Sequence, residues 1–259
     1  MRPASSLWDH PLWGRLLQIA AGPVLFFLVW YLAQTFGHLK LIPPPVATMV
    51  ATWQALAHGS MLFDLYRTLY RVLYAFVLAA VFGVPIGIVI GATERLYRGS
   101  EFLIDFFRST PATAMFPLFM LLFGLDEFSR IALAAFSAWL IIIFNVGYGV
   151  LNARKTRVLA AQSMGASRLR VFATVIFFET LPQTFVGLRT GISIALVVIV
   201  VAEMFIGSVD GLGHRIIDAQ ISYNLKDLYG SILISGGLGY CLNYFFLAIE
   251  RVFIHWAGR

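Results

Sequence analysis

One polar stretch interrupts an otherwise apolar chain: residues 152–182, NARKTRVLAAQSMGASRLRVFATVIFFETLP. It holds one acidic residue, Glu179, and the basic residues Arg154, Lys155, Arg157, Arg168 and Arg170. The pattern predicts two short helices. We expect Thr156 to cap the first and Gly165 to form its C-terminal turn. We expect Ser167 to begin the second helix and Pro182 to end it before the next apolar run.

The composition of the whole chain explains why this stretch stands out. Of 259 residues, 59% are hydrophobic and 12% are charged, whereas soluble domains carry about 25% charged residues. So little polar surface predicts an all-α polytopic membrane protein. The net charge of +6 does not indicate nucleic-acid binding, because Lys and Arg cluster at the ends of apolar runs, as topology signals do.

Six apolar runs are long enough to cross a bilayer, which takes about 20 residues. The predicted spans cover residues 16–37, 72–92, 102–125, 131–151, 183–207 and 228–249. We predict two parts: residues 1–15 form an N-terminal tail, and residues 16–259 form a single transmembrane domain. After Pro43–Pro45, a helix too short to span carries apolar residues on one face and is expected at the membrane interface.

Counting basic residues predicts the orientation. With the N-terminus inside, the inner segments hold Arg2, Arg15, Arg95, Arg98, the five basic residues of the polar stretch, Arg251 and Arg259. The outer segments hold only Lys40, Arg215 and Lys226. The count leaves out five arginines at or inside helix ends, Arg67, Arg71, Arg108, Arg130 and Arg189. This excess satisfies the positive-inside rule, so both termini and residues 152–182 are predicted to be cytoplasmic.

Glycine recurs at every fourth position of the second predicted span, at Gly83, Gly87 and Gly91. The spacing places all three on one helix face, where another helix can approach closely. The alternative is a chance recurrence in a glycine-rich membrane chain.

No motif for chemistry accompanies the spans. The chain has no phosphate-binding P-loop, no H-E-x-x-H motif and no Cys/His ligand cluster. Ser193 has no histidine in its own span to activate it. We therefore predict a non-catalytic protein that binds no metal or cofactor itself.

Charged residues near or inside spans are functional candidates by default. The candidate translocation-path residues are Arg108, Pro111, Asn145, Arg189 and Glu203. Two alternatives stay open: Arg108 could pair with Asp105 or extend to the interface, and Glu203 could form an ion pair that fixes the outer gate.

The polar stretch resembles the EAA loop of permease subunits of bacterial ATP-binding-cassette importers, in which E-A-A is followed after three residues by G and later by a hydrophobe and Pro. Ala160, Ala161, Gly165 and Pro182 match that pattern, and Leu159 stands where the Glu usually is. The triple proline, FRSTPATAMFPLFMLLFG (107–124) and VVAEMFIGSVDGLG (200–213) are similar to the branch that imports nitrate, bicarbonate, taurine and alkanesulfonates.

The resemblance implies a type I importer permease fold in the bacterial inner membrane. The ATPase-coupling residues would be Leu159, Ala160, Ala161, Met164, Gly165, Ala166 and Pro182. The implied partners are cytoplasmic ATPase subunits that carry ATP and Mg, a periplasmic or lipid-anchored solute-binding protein, a second permease copy and membrane lipid, with no nucleic acid. The implied cargo is a small anionic solute. A permease for a non-anionic molecule and an ATP-independent secondary transporter are the alternatives.

On the residues alone, the polar hairpin is either a site for a partner protein or a surface loop whose basic side chains contact anionic lipid.

Overall fold

The computed structural model of the protein describes residues 11–36, 41–205 and 208–254, with side chains in the first range from residue 20. Its described segments are mostly helical and contain no strand. The helices are α1 Pro11–Phe36, α2 Pro45–Ala57, α3 Ser60–Gly91, α4 Glu94–Ser109, α5 Phe116–Phe123, α6 Glu127–Leu151, α7 Lys155–Ser163, α8 Arg168–Val171, α9 Phe177–Phe205, α10 Leu212–Ile221 and α11 Leu225–Phe253. A 3₁₀-helix, Ala112–Met115, precedes α5, and a π-helix, Phe172–Ile176, joins α8 to α9. The all-α prediction is confirmed.

Three long helices, α3, α6 and α9, form the core of the bundle. Buried small residues line their contacts, among them Ala75, Ala79, Ala138 and Ala195. Buried branched residues such as Ile142 and Ile199 fill the space between. Small residues let helix backbones approach closely. Such packing helps helices associate in a membrane, where lipid provides no hydrophobic driving force.

The glycine stripe on α3 faces α6. A Cβ at Gly83 would lie 3.0 Å from Ile142 Cγ2, and one at Gly87 would lie 2.7 Å from Val146 Cβ. At Gly91 it would lie 2.5 Å from the Gly147 carbonyl oxygen. No room remains for a side chain at these positions.

The described residues contain four helices long and apolar enough to cross a membrane: α3, α6, the continuous helix from Arg168 to Phe205, and α11. The bent pair α4 and Ala112–Phe123 makes a fifth if counted as one span, and α1 contributes the shorter apolar helix Ala20–Phe36. Together they account for the six predicted runs.

The third predicted span, 102–125, is a broken helix rather than one continuous helix. The chain bends by 89° between α4 and the helical segment that follows it. Thr110 adopts an extended conformation, with φ −76° and ψ 124°. The following Pro111 disfavours a helical conformation in the preceding residue, so α4 ends there.

Two expected boundaries in the polar stretch are wrong. α7 begins at Lys155 with no side-chain cap, so Thr156 lies inside the helix. Pro182 lies inside α9 rather than at its start. Neighbouring helices and local adjustment allow a spanning helix to continue through a proline, which here extends the fifth span well before residue 183.

α2 forms as predicted, with Pro45 in its first turn. Its apolar residues Val46 and Trp53 are 73% and 72% exposed, whereas Thr48 and Thr52 are buried against the protein. The apolar face therefore points away from the bundle, as expected of a helix at the membrane interface.

Candidate functional site

Helices α7 and α8 form a compact hairpin at the end of α6. Gly165 has φ +80°, the left-handed conformation that glycine adopts without a Cβ penalty. Its N–H donates to the Gln162 carbonyl at 2.9 Å, and the Ala166 N–H donates to the Ala161 carbonyl at 3.1 Å. These two bonds define a Schellman turn. The Ser167 hydroxyl accepts the Arg170 N–H at 3.4 Å and begins α8, so the roles expected of Gly165 and Ser167 in the turn are confirmed.

Three large apolar side chains project from this hairpin. Leu159 is 60% exposed, Met164 81% and Leu169 78%, in a segment that is otherwise basic. Ala161 is buried, whereas Ala160 is exposed. Apolar side chains grouped on a polar loop are typical of a surface that another protein covers.

An ion-pair group fastens the hairpin to α9. Glu179, whose side chain is 14% exposed, pairs with Arg157 and lies 3.8 Å from Arg154 Nε. The π-helix Phe172–Ile176 separates Glu179 from α8. Such π-segments occur often at functional sites. The sequence offered one signal for this contact: Glu179 is the only acidic residue of the polar stretch.

A second charged group lies at the opposite end of α6, about 36 Å away at a rise of 1.5 Å per residue. Its centre is Arg71 on α3, with a side chain only 2% exposed. Arg71 Nη1 donates to Glu203 Oε1 at 2.7 Å and to the Asp210 carbonyl at 3.1 Å. Arg71 also pairs with the Asp210 carboxylate and, at 2.9 Å, with Glu127.

Glu203, with no exposed side-chain area, is held by further bonds. Thr68 Oγ1 donates to Glu203 Oε2 at 2.8 Å, and the Gly213 N–H donates to the same oxygen at 3.0 Å. The Thr68 hydroxyl accepts the Leu212 N–H at 2.8 Å. The start of α10 is thereby fixed to α3 and α9.

An outer layer of charges extends the group. Arg67 lies 3.0 Å from Asp210 and 3.1 Å from Glu127. Arg215 lies 3.2 Å from Asp64 and 2.9 Å from Asp227 on α11. We call the set Asp64, Arg67, Thr68, Arg71, Glu127, Glu203, Asp210, Arg215 and Asp227 the outer network. Sequence reasoning found only Glu203; the i, i+4 pair Arg67 and Arg71 at the start of α3 was the available signal.

Asp210 lies in the loop between α9 and α10. Burial alone would raise the pKa of its carboxyl group, but hydrogen bonds and charge from Arg71 and Arg67 hold that pKa below its ordinary value of 3.8. The carboxylate is therefore ionised at neutral pH and remains a partner for both guanidinium groups.

The other candidate path residues lie apart from the outer network. Arg108 lies 3.3 Å from Asp105, and its guanidinium stands over the Phe144 ring at 4.1 Å. Arg189 lies 3.6 Å from Glu250. Asn145 accepts a hydrogen bond from Gln183 at 2.9 Å.

Pro111 precedes the 3₁₀-helix at the bend between α4 and α5. The pairing of Arg108 with Asp105 and the ion pair of Glu203, both left open by the sequence, are present. The structure does not gather the five candidates into one site.

An apolar cavity of about 400 Å³ lies between the bend, α6 and α9, lined by Pro117, Leu133 and Val198 among others. Within the described residues, no group of three or more His, Cys, Asp or Glu side chains could hold a metal.

Membrane-length helices, a helical hairpin at one end and an ion-paired turn at the other define a polytopic membrane protein. The chain belongs to the family described as binding-protein-dependent transport system inner membrane component, whose model matches residues 83–257. It is thus a multi-pass inner-membrane permease of the ATP-binding-cassette importer class, a non-catalytic transport subunit.

Curated relatives support this membership. The chain is 31% identical over 234 residues to a probable ABC transporter permease protein of Brucella abortus (strain 2308), covering 89% of this chain and 91% of the relative. It is 29% identical to the putative aliphatic sulfonates transport permease protein SsuC of Escherichia coli K12, covering 90% and 89%. It is 29% identical to the taurine transport system permease protein TauC of the same organism, covering 61% and 57%.

A solved structure shares the fold. A chain of the MetNI methionine ABC transporter in an inward-facing conformation superposes with a TM-score of 0.65 at 19% identity, covering 74% of this chain and 95% of that one.

Proposed function

We propose that this chain forms the translocation path of an importer for a small anionic solute of the nitrate, bicarbonate, taurine or sulfonate kind. An external binding protein delivers the solute, and separate ATPase subunits drive its passage. Relatives named for aliphatic sulfonates and taurine support this range of cargo. The family description supports the dependence on a binding protein.

One observation carries the coupling part of the proposal: the exposed apolar side chains Leu159, Met164 and Leu169 on a hairpin held rigid by its Schellman turn. An ATPase surface covering them removes apolar area from water, which stabilises association. Because Leu159 replaces the usual glutamate, the proposed docking uses apolar contact at that position rather than a salt bridge. Ala160, Ala161, Gly165 and Ala166 keep the hairpin narrow enough to enter a groove.

The proposed orientation places the hairpin and both termini in the cytoplasm and the outer network on the opposite side. The excess of basic residues in the segments assigned to the inside supports it. The hairpin then faces the ATPase subunits, and the turn before α10 faces the binding protein.

The proposed assembly contains two copies of the permease within lipid. In the isolated chain, none of the most apolar 18-residue window of α11 is buried, and only 22% of that of α3 is. Lipid and a second copy would cover these faces. ATP-driven closure of the ATPase subunits would move the copies by rigid-body rocking.

Reconstitution tests this function. The permease is placed in proteoliposomes with its ATPase and binding protein, and uptake of nitrate, bicarbonate, taurine, alkanesulfonates and neutral analogues is measured with and without ATP. We expect ATP-dependent uptake of an anion only when all three components are present. Uptake without the ATPase would show a secondary transporter, and uptake restricted to a neutral solute would overturn the anionic cargo.

A matched pair of variants tests the hairpin in the same vesicles. We expect Gly165→Val to abolish coupling, because a β-branched residue is strongly disfavoured at positive φ. We expect Gly165→Asn to retain it, because asparagine adopts that conformation. Equal transport by wild type and Gly165→Val would contradict the coupling role.

A further inference from the structure

A polar cavity lies between α9 and α11, away from both the hairpin and the outer network. Its volume is about 480 Å³. Arg189, Thr190 and Ser193 line it from α9, and Tyr240, Asn243 and Tyr244 line it from α11. All six lie near the middle of helices Phe177–Phe205 and Leu225–Phe253. Within the predicted spans 183–207 and 228–249, they lie in the half nearer the hairpin.

Close contacts bound this cavity along the helix axes. At one end Gly239 packs against Leu196, where an added Cβ would stand 3.0 Å from Leu196 Cδ2. At the other end the rings of Phe185 and Phe253 stack at 6.3 Å, next to the pair Arg189–Glu250. These contacts limit the cavity along the two helices.

Several polar side chains of this cavity make no hydrogen bond to the protein, whereas the Thr190 and Ser193 hydroxyls donate to the Val186 and Arg189 carbonyls. Arg189 Nη1 lies 3.6 Å from Glu250 Oε2, too far for a hydrogen bond, and Glu250 Oε2 is buried without one. Across the described ranges, neither the Arg189 guanidinium nor the side chains of Tyr240, Asn243 and Tyr244 make a hydrogen bond. A guanidinium and an amide facing lipid at this depth are strongly unfavourable. The cavity therefore requires water or a polar ligand.

The arrangement fits a ligand with two unlike ends. Arg189 and Asn243 present a positive charge and hydrogen-bond donors, which suit an oxyanion. The rings of Tyr240 and Tyr244 stack at 6.4 Å with Leu247 beside them, forming an apolar wall. Nitrate and bicarbonate have no apolar part to use that wall.

We propose that the cavity between α9 and α11 binds an organic anion, with its sulfonate or carboxylate group at Arg189 and its carbon skeleton against Tyr240 and Tyr244. The inference rests on the proposed function and narrows its cargo from anions in general to organic anions. Arg189 supplies the charge recognition, and the tyrosine pair selects against inorganic anions.

The experiment uses the purified permease in nanodiscs. A cysteine is introduced as Thr190→Cys in a Cys241→Ser background, and its reaction with a water-soluble methanethiosulfonate is timed. Butanesulfonate is the probe, with nitrate and the neutral butanesulfonamide as controls. We expect butanesulfonate to slow labelling and the two controls to leave it unchanged. Labelling unaffected by butanesulfonate, or equally slowed by butanesulfonamide, would overturn the proposal.

Two matched variants separate ligand binding from a structural role of Arg189. Arg189→Gln should raise the half-protecting butanesulfonate concentration at least about tenfold, since hydrogen bonds to charged groups are the stronger ones. Glu250→Gln breaks the same ion pair yet should keep protection or strengthen it, because a nearby negative charge is removed. Equal loss in both variants would assign Arg189 to the ion pair alone.

A third variant covers the case in which Arg189→Gln does not fold, judged by size-exclusion chromatography. Tyr244→Leu should weaken protection by butanesulfonate by several-fold without making nitrate protective; unchanged protection would overturn the role of the aromatic wall. Reaction of Thr190→Cys too slow to measure would also overturn the proposal, because the face would then be covered.

Transport with the ATPase and binding protein is measured in parallel. If the permease transports solute but butanesulfonate does not protect the introduced cysteine, this inference alone is wrong. If there is neither transport nor coupling to ATP hydrolysis, the proposed function is wrong.

Discussion

Arg71 and Glu203 stand 132 positions apart in the chain, and their side chains meet at 2.7 Å in a fully buried pair. Arg71 belongs to the first turns of α3, whereas Glu203 ends the long helix α9. The pair closes one end of the three-helix core, and the bonds of Glu203 to Thr68 and Gly213 tie the start of α10 to it.

Loss of the Glu203 charge should destabilise the protein. Glu203→Gln leaves Arg71 with a buried, partly uncompensated charge, and breaking such a pair costs about 3–5 kcal/mol. We expect a lower thermal midpoint in detergent and reduced uptake in vesicles. Glu101→Gln, a change at an exposed glutamate of α4, is the control and should leave both values unchanged. If Glu203→Gln has the same thermal midpoint and uptake as the control, the pair of Arg71 with Glu203 does not stabilise the protein.

Stability should fall in acid through Asp210. The pKa of this carboxyl group is lower in the folded protein than its ordinary value of 3.8. Its contribution to stability is therefore complete above pH 3.8 and is lost as the pH falls through the lowered folded value. Thermal midpoints measured against pH should show this acid limb in the wild type and a shallower one in Asp210→Asn. The same slope in both proteins would show that other carboxyl groups set it.

Filling the glycine stripe should separate α3 from α6. Gly87→Ala places a Cβ 2.7 Å from Val146 Cβ, and overpacking of this kind costs about 1–3 kcal/mol. Gly99→Ala is the matched control in α4, where nothing lies within 4 Å of the new Cβ. That change should be neutral or slightly stabilising, because alanine favours helix. The measurement is the thermal unfolding midpoint of each variant. Equal midpoints would contradict a packing role for Gly87.

The contact of Glu179 with Arg157 should matter for coupling more than for stability. Both arginine partners are more than half exposed, and pairs near the surface contribute only about 0–1 kcal/mol. Glu179→Gln should leave the thermal midpoint nearly unchanged but raise the number of ATP molecules hydrolysed per solute imported. The reversed pair Glu179→Arg with Arg157→Glu should restore the ratio in part.

Glu94→Gln, which breaks the exposed pair of Glu94 with Arg98, is the control for this experiment and should not change the ratio. If Glu179→Gln does not change the number of ATP molecules hydrolysed per solute imported, Glu179 has no role in coupling.

The sequence predicted the features that depend on local pattern. Apolar runs identified the spans because crossing a bilayer requires about 20 apolar residues in succession. The spacing of Gly83, Gly87 and Gly91 identified a packing face because a helix repeats nearly every fourth residue. Gly165 was predictable as a turn because few other residues adopt positive φ, and the motif around it indicated the family.

Local sequence pattern predicted helix ends less reliably at prolines. Pro111 ends α4 and the chain turns by 89°, whereas Pro182 is carried within α9. The residue itself has the same effect in both places: it removes one donor and crowds the preceding turn. Packing around the segment decides whether the helix continues, and a single sequence does not contain that information.

The amino-acid sequence by itself determined the membrane class, the all-helical fold and the hairpin, since each follows from periodicity or from the conformational limits of single residues. Only the tertiary structure decided the partners of the charges: Arg71 with Glu203, Glu179 with Arg157, and Arg189 beside an open polar cavity. Charges inside a membrane bundle must be paired or solvated. Which of the possible pairs forms depends on how helices distant in the chain come together.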